Sequence, residues 1–344
     1  MSPYALSMLI SSLSTGTIIT FISNHWFLAW IGLELNTLAI IPIMSKMHHP
    51  RPTEAAIKYF LIQSMASALL LFAAMLNAWY TGEWTIINMQ TQTPLLLLTT
   101  ALMIKLAVAP FHMWLPDVIQ GSDLMTCLIL STWQKLAPLT LMIQMSSEIN
   151  TTLMITLGML SLLVGGWGGL NQPQLRKMMA YSSTAHLGWM MIVMSYSSNL
   201  TLLNLMIYLL LTTSMFLVMM KMLSTNINKM ASSWMKNLSL TSTMIIILMS
   251  LGGLPPLSGF MPKWLILEEV IKHNIPLATM ATMSTLLSLF FYLRLSYMTS
   301  LTTPPTTMNS KLMWRLKMKL NMLSTTIIMS TMLLPITPLI LNMI

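Results

Sequence analysis

Apolar residues run along the chain in stretches of about 17–25, the length at which a helix crosses roughly 30 Å of hydrocarbon, and most polar residues gather in the gaps between them. The strict alternation of a half-buried strand is absent. Lipid offers no partner to a free backbone N–H or C=O, so stretches of this kind must fold as helices. The pattern predicts an all-α polytopic membrane protein with eleven transmembrane helices. These fall over 3–23, 26–44, 57–79, 94–119, 124–144, 149–169, 177–195, 200–220, 240–271, 276–296 and 323–342. The connections are short except 80–93, 221–239 and 297–322. None is long enough for an extramembrane domain.

Composition agrees with the pattern. Of 344 residues 55% are hydrophobic and 7% charged, and a mean hydropathy of +0.73 lies above that of a water-soluble domain. No charged n-region or small-residue cleavage site precedes the first span, so nothing reads as a removable presequence. The single cysteine, Cys127, excludes an intrachain disulfide and supplies too few thiolates for an iron–sulfur cluster. The 39 methionines fit a sequence written in the mitochondrial code.

The net charge of +9 sorts by side. With the N-terminus on one face, that face carries Lys46, Arg51, Lys58, Arg176, Lys177, Lys221, Lys229, Lys236, Lys311, Arg315, Lys317 and Lys319. The other face holds Glu83, Glu148, Glu268 and Glu269, with Lys272 as its only basic residue. Excess Lys and Arg mark the inner side, so the charge is a topology signal and not a nucleic-acid footprint. Lys311, Arg315 and Lys319, four apart beside Leu312, Leu316 and Leu320, suit either a surface helix or a solvated basic loop. Trp26, Trp79, Tyr80, Trp84 and Trp234 stand near predicted span ends, as interfacial aromatics do.

Four ionisable residues fall mid-span instead: Glu34, Lys105, Lys135 and Lys263. Lys105 lies about ten residues, or about 15 Å, from either end of its span, too far to reach water by extending its side chain. Each such charge costs about 2.5–3.5 kcal/mol on insertion scales. Four unpaired ones total roughly 10–14 kcal/mol, a whole domain's stability, so they must be paired or hydrated. Glu34 and Lys105 are the expected pair, acting either in proton exchange or as a static helix tie.

Helix breakers coincide with these charges. The fourth span reads ALMIKLAVAPFHMWLPD and the ninth LGGLPPLSGFMPKW, with Pro110, Pro116, Pro255, Pro256 and Pro262. Proline removes a backbone bond, and freed carbonyls at membrane depth survive only inside protein or beside water. Broken helices carrying an ion-binding residue are a transporter pattern. The break is fourth in each of two five-helix units, 1–148 and 149–296, and five helices invert the second unit relative to the first. A basic loop at 297–322 and a last helix at 323–344 complete the chain.

Other residues are open to two readings. His112 and His186 either relay protons or are satisfied structural histidines. Asp117 and Asp123 are a proton mouth or ordinary loop acids, and Glu54 reads as solvated or interfacial. GGWGG at 165–169 suits close helix packing and a helix end. No metal-ligand spacing, nucleophile triad or flavin fingerprint is present.

KLAVAPFHMWLPD (105–117) and GGLPPLSGFMPKW (252–264), in this order after the Glu34 span, resemble the antiporter-like family of proton-pumping complex I subunits and cation/proton antiporters. WIGLELNTLAIIP (30–42) and the ending at Ile344 look most like a mitochondrial member. The resemblance implies a hydrated polar axis in which Glu34 and Lys105 form the switching pair, Lys135 connects, and Lys263 serves the outlet. It also implies a chain that works within a proton-translocating NADH:ubiquinone reductase and holds no cofactor itself. NADH, FMN, iron–sulfur clusters and ubiquinone would belong to partner subunits. Neighbours would be a small membrane subunit and a larger antiporter-like subunit in the mitochondrial inner membrane, with the N-terminus in the matrix and the C-terminus in the intermembrane space. Bacterial relatives have fourteen helices, and the first three are missing here. The alternative in the same family is a Na⁺/H⁺ antiporter subunit.

Overall fold

The structure, a computed structural model, describes residues 2–47, 49–89, 91–235, 238–301 and 323–337. Lys236, the basic stretch 311–320, most of the loop 297–322 and the ending at Ile344 lie outside the described residues. Among the described residues there is no strand, only two isolated bridges. Among the described residues six helices are long and apolar enough to cross a membrane: α1 (Pro3–Ile22), α2 (Trp26–Met44), α3 (Pro50–Thr81), α8 (Thr151–Gly169), α10 (Ser198–Met222) and α14 (Ile275–Leu301).

The chain divides into two compact units, Met1–Gly158 and Met159–Ile344. In the first, α1 packs on α2, and α3 packs on α2. The α1–α2 crossing is close because two glycines face each other. A Cβ on Gly16 would stand 2.9 Å from the Gly32 carbonyl oxygen, and one on Gly32 2.8 Å from that of Gly16. Helix α3 begins seven residues before the predicted span, because His49 caps it through Nδ1 to the Arg51 N–H at 3.4 Å and Pro50 suits the first helical turn.

The predicted fourth span is two helices, α4 (Gln92–Leu106) and α5 (Trp114–Gly121). The chain leaves α4 through Ala107, whose φ of 62° is left-handed. There the Ala107 N–H donates to the Ile104 carbonyl (3.2 Å) and the Val108 N–H to that of Met103 (3.1 Å), a helix-ending pattern. The predicted fifth span, expected as one helix, is also two: α6 (Leu124–Ser131) and α7 (Trp133–Gln144), separated at Thr132. Neither glycine nor proline stands at that break. Thr132 turns its hydroxyl onto the Leu128 carbonyl at 2.6 Å, and Pro138 inside α7 leaves the Gln134 carbonyl without its helical donor.

In the second unit α9 (Leu175–Met194) is buried along nearly its whole length. It carries Arg176, Lys177 and a serine pair, and is therefore not among the six apolar helices. A helix surrounded by protein need not be apolar on every face. The glycines of α8 let neighbours approach: a Cβ on Gly165 would meet α9 at the Ala185 nitrogen (2.7 Å), and one on Gly169 would meet Phe291 of α14 (2.9 Å). The connection after α10 holds a short helix, α11 (Ile227–Ala231), and a 3₁₀ turn. The predicted ninth span is again two helices, α12 (Leu238–Gly252) and α13 (Phe260–His273). Gly253, with φ of 80°, takes the place that Ala107 has in the first unit. Its N–H donates to the Ser250 carbonyl at 3.0 Å, and the Leu254 N–H to that of Met249 at 3.3 Å. The last described helix, α15 (Leu323–Met332), packs on α10 and α12. It reaches the α12–α13 break through the Ser258 hydroxyl, which donates to the Ser330 carbonyl.

The units repeat one further detail. Before α2 and after α3 the Trp26 N–H donates to the Trp84 carbonyl and the Ile86 N–H to that of Asn24, both at 3.1 Å. Before α9 and after α10 the Leu175 N–H donates to the Thr225 carbonyl (3.1 Å) and the Ile227 N–H to that of Pro173 (3.2 Å).

Candidate functional site

Lys105 stands on the last turn of α4, two residues before the left-handed Ala107, and it is buried. Lys135 stands on α7 between the Thr132 break and Pro138, and is also buried. The two lysines line one cavity of about 10 Å³, room for about one water molecule. The rest of its wall mixes polar side chains with apolar ones, Leu33, Leu106, Leu115 and Leu130 among them. Asn36, Thr37, Tyr59, Gln63, Trp114 and Gln134 all contribute.

Hydrogen bonds brace that wall. The Tyr59 hydroxyl donates to Gln134 Oε1 at 3.4 Å, and Gln134 Nε2 donates to the Asn36 carbonyl at 3.3 Å. Trp114 Nε1 reaches back across the break to the Ile104 carbonyl at 3.1 Å. The indole and the Tyr59 ring lie 5.8 Å apart. Five helices are thereby tied around the lysines, α2, α3 and α7 to one another and α5 to α4, while the Lys105 amine itself has no hydrogen-bond partner. A buried ammonium without a partner is costly, which makes this the natural place for water.

Glu34 is half-buried on α2 and does not line the cavity. It makes no ion pair with Lys105. One of its carboxylate oxygens is buried without a hydrogen-bond partner. The expected pair is thus not formed as a direct ion pair. Asp117, at the far end of the break, joins Lys58 (3.7 Å), which also binds Glu54 (2.8 Å); all three are partly exposed. His112 is buried in the break with Nδ1 3.3 Å from the Pro110 carbonyl oxygen, a contact that satisfies a freed acceptor.

In the second unit Lys263 lies on α13, past the break. Its amine turns back to donate to the Gly252 carbonyl at 2.7 Å and approaches that of Leu251 at 3.5 Å. It therefore caps the broken end of α12. Lys105 precedes its break and Lys263 follows its own, so the two are not equivalent positions: counted from Ala107 and Gly253, the counterpart of Lys263 is Asp117. His186 is half-buried on α9, its ring 5.4 Å from that of Tyr208 on α10. Among the described residues no group of three or more His, Cys, Asp or Glu is arranged to hold a metal ion.

Sequence reasoning passed over Asn36, Tyr59, Trp114 and Gln134, since neutral polar residues in a span resemble ordinary packing. Gln134 had a signal: it adjoins a mid-span lysine and precedes a proline by four.

Residues 23–288 match the family described as NADH:quinone oxidoreductase/Mrp antiporter, TM, and residues 289–341 match NADH dehydrogenase subunit 2 C-terminus. The NADH-ubiquinone oxidoreductase chain 2 of Oncorhynchus mykiss is 54% identical over 341 residues, covering 98% of each chain. That of Xenopus laevis is 52% identical over 342 residues, 98% of this chain and 99% of the relative. Among solved structures, a chain of respiratory complex I from Thermus thermophilus with bound aureothin superposes with a TM-score of 0.87 at 25% identity, covering 99% of this chain and 80% of that one. A chain of the Mrp complex from Dietzia shares the fold, with a TM-score of 0.77 at 17% identity, over 87% of this chain and 61% of that one.

Proposed function

The chain belongs to the NADH-ubiquinone oxidoreductase chain 2 family, and from that premise we propose that it translocates protons as a core membrane subunit of complex I. NADH oxidation and quinone reduction then take place in other subunits, with NADH, FMN, iron–sulfur clusters and ubiquinone bound there. One observation carries this reading: Lys105 and Lys135 stand on the walls of a single water-sized cavity at a helix break.

The chemistry follows from electrostatics. Two like charges on one cavity repel by about 2–4 kcal/mol at separations of roughly 4–8 Å and an effective dielectric near 20, so protonating one lysine opposes protonating the other. Glu34 adds the influence of an opposite charge from α2. When a neighbouring subunit weakens that influence, the proton passes through the cavity water to Lys135. Lys263 serves the outlet, its amine exchanging a proton as it leaves or regains the Gly252 carbonyl, and His112 and His186 are candidate relays. The side chains move protons by general acid–base exchange, and no electron passes through this chain.

The parallel turns at Ala107 and Gly253 and the parallel ties at Trp26 and Leu175 support two five-helix repeats, 1–148 and 149–296. Five helices in each make the second inverted, and a last helix at 323–344 gives eleven spans. The protein is placed in the mitochondrial inner membrane with its N-terminus in the matrix, its C-terminus in the intermembrane space, and small and antiporter-like membrane subunits as neighbours. The match of residues 289–341 to the subunit 2 C-terminus favours this reading over a Na⁺/H⁺ antiporter subunit. The test is Lys105→Met in the assembled complex in proteoliposomes. Proton-coupled quinone reduction falls by about tenfold or more, as expected when a proton-transfer group is lost, while NADH oxidation by a soluble acceptor persists. Unchanged proton yield and rate refute the reading.

A further inference from the structure

Helix α14 of the second unit carries one charge on a face that otherwise suits lipid. Met283, Leu286, Phe290, Tyr297 and Leu301 are all exposed, and Arg294 is exposed among them. At 3.6 residues per turn the six share an arc of about 80°. They form one stripe along the helix. From Ile275 to Leu301 the chain has no Asp, Glu or Lys and no second Arg, so Arg294 interrupts an apolar surface alone.

The neighbouring helix holds the guanidinium in place. Arg294 Nη1 donates to the Leu170 carbonyl at 2.8 Å, just past the end of α8, where a cation is favoured. Glycines bring the two helices together: a Cβ on Gly166 would stand 2.8 Å from Leu287 Cβ, and one on Gly169 2.9 Å from the Phe291 ring. These contacts advance together along both helices, so α8 and α14 run parallel towards Leu170 and Arg294. Trp167, one turn before Leu170, is 75% exposed, and Leu160 and Leu163 continue its face. Two exposed apolar stripes thus flank one seam that is capped by Arg294, with Trp167 and Tyr297 each within a turn of the cap.

We propose that this seam binds an anionic phospholipid, with its phosphate on Arg294 and its acyl chains along Leu163 and Phe290. A guanidinium offers five N–H donors in a planar fork that matches two phosphate oxygens, and the Leu170 carbonyl takes one of them. Among the described residues no carboxylate forms an ion pair with Arg294, so its charge is left for an anion from outside the fold. Arg176 and Lys177 open α9 directly after the loop that follows Leu170. Positive charge gathered at one level favours a net-negative headgroup over a zwitterionic one, and Trp167 and Tyr297 are the amphipathic aromatics that settle at headgroup depth. Capping of α8 accounts for one N–H of the guanidinium. It does not account for two exposed apolar stripes that meet at a permanent cation.

The test places the assembled complex in phosphatidylcholine vesicles that contain a trace of either phosphatidylglycerol or phosphatidylcholine bearing a photoactivatable diazirine on an acyl chain. After illumination, labelling of the peptides that carry Leu163 and Phe290 is read by mass spectrometry. The phosphatidylglycerol probe is expected to label them about fivefold more than the phosphatidylcholine probe, the preference that one charge confers at an anionic surface. Unlabelled phosphatidylglycerol competes and inorganic phosphate does not. Arg294→Gln brings the two probes to equal labelling, while Arg294→Lys keeps a preference through its charge. Equal labelling in the wild type overturns the site, and that comparison needs no variant to assemble. Labelling by neither probe also overturns it, since a neighbouring subunit then covers the seam. Displacement by inorganic phosphate, or a preference that survives Arg294→Gln, refutes a lipid phosphate on this guanidinium.

Discussion

Gly253→Ala tests the α12–α13 break most sharply. Two separate effects follow from one added methyl. First, Gly253 has φ of 80°, a left-handed conformation that costs a residue with a Cβ about 1–3 kcal/mol. Second, the Cβ would lie 2.8 Å from both Cδ and Nζ of Lys263 and 3.0 Å from Cε. The lysine is flexible and gives way, and in doing so it abandons the 2.7 Å bond to the Gly252 carbonyl. A hydrogen bond from a charged donor contributes about 1.5–3 kcal/mol, so displacing the amine changes its proton equilibrium roughly 10- to 150-fold. The assay is proton-coupled quinone reduction by the assembled complex, with thermal inactivation measured in parallel. The single variant loses both rate and thermal tolerance. In the Gly253→Ala/Lys263→Met double variant the strain persists and thermal tolerance stays low, but the rate falls no further than in Lys263→Met alone. A double variant slower than Lys263→Met by the full Gly253→Ala factor refutes the contact, because the substitutions would then act independently.

Two further outcomes follow from the packing. Gly16→Leu or Gly32→Leu drives a side chain into the opposing backbone of the α1–α2 crossing, where rigid carbonyls cannot yield, and overpacking of this kind costs about 1–3 kcal/mol or more; loss of assembled complex on native gels is the expected readout, and normal assembly rules out the close crossing. Trp114→Phe deletes the bond to the Ile104 carbonyl, which still accepts from the Ala107 N–H, so the loss stays near 0.5–1.5 kcal/mol, an ordinary hydrogen bond, and a collapse of assembly argues against it.

The breaks at 107–113 and 253–259 were legible because proline has no N–H to donate, and the central lysines because a charge interrupts an apolar run. The break at Thr132 was not. It depends on a threonine hydroxyl choosing the carbonyl four residues back, a choice that threonines throughout the spans also make without ending a helix. The burial of α9 escaped the sequence for a related reason: polarity on a helix says that something other than lipid covers it, without saying what. Glu34 and Lys105 stand out in the sequence as ionisable groups within apolar runs, yet spacing along separate spans carries no information on whether two side chains touch. The polar wall of Tyr59 and Gln134 needed three helices in register before it existed at all.

The bond from Ser258 to Ser330 has a genetic corollary. It latches the stretch joining α12 to α13 to a helix that begins sixty residues after Lys263. A premature stop or frameshift between residues 264 and 322 spares every ionisable group of the proposed pathway, yet it unfastens the hinge beside Lys263. Alleles that shorten the chain should therefore group with lesions of that lysine in phenotype, and not with neutral tail variants.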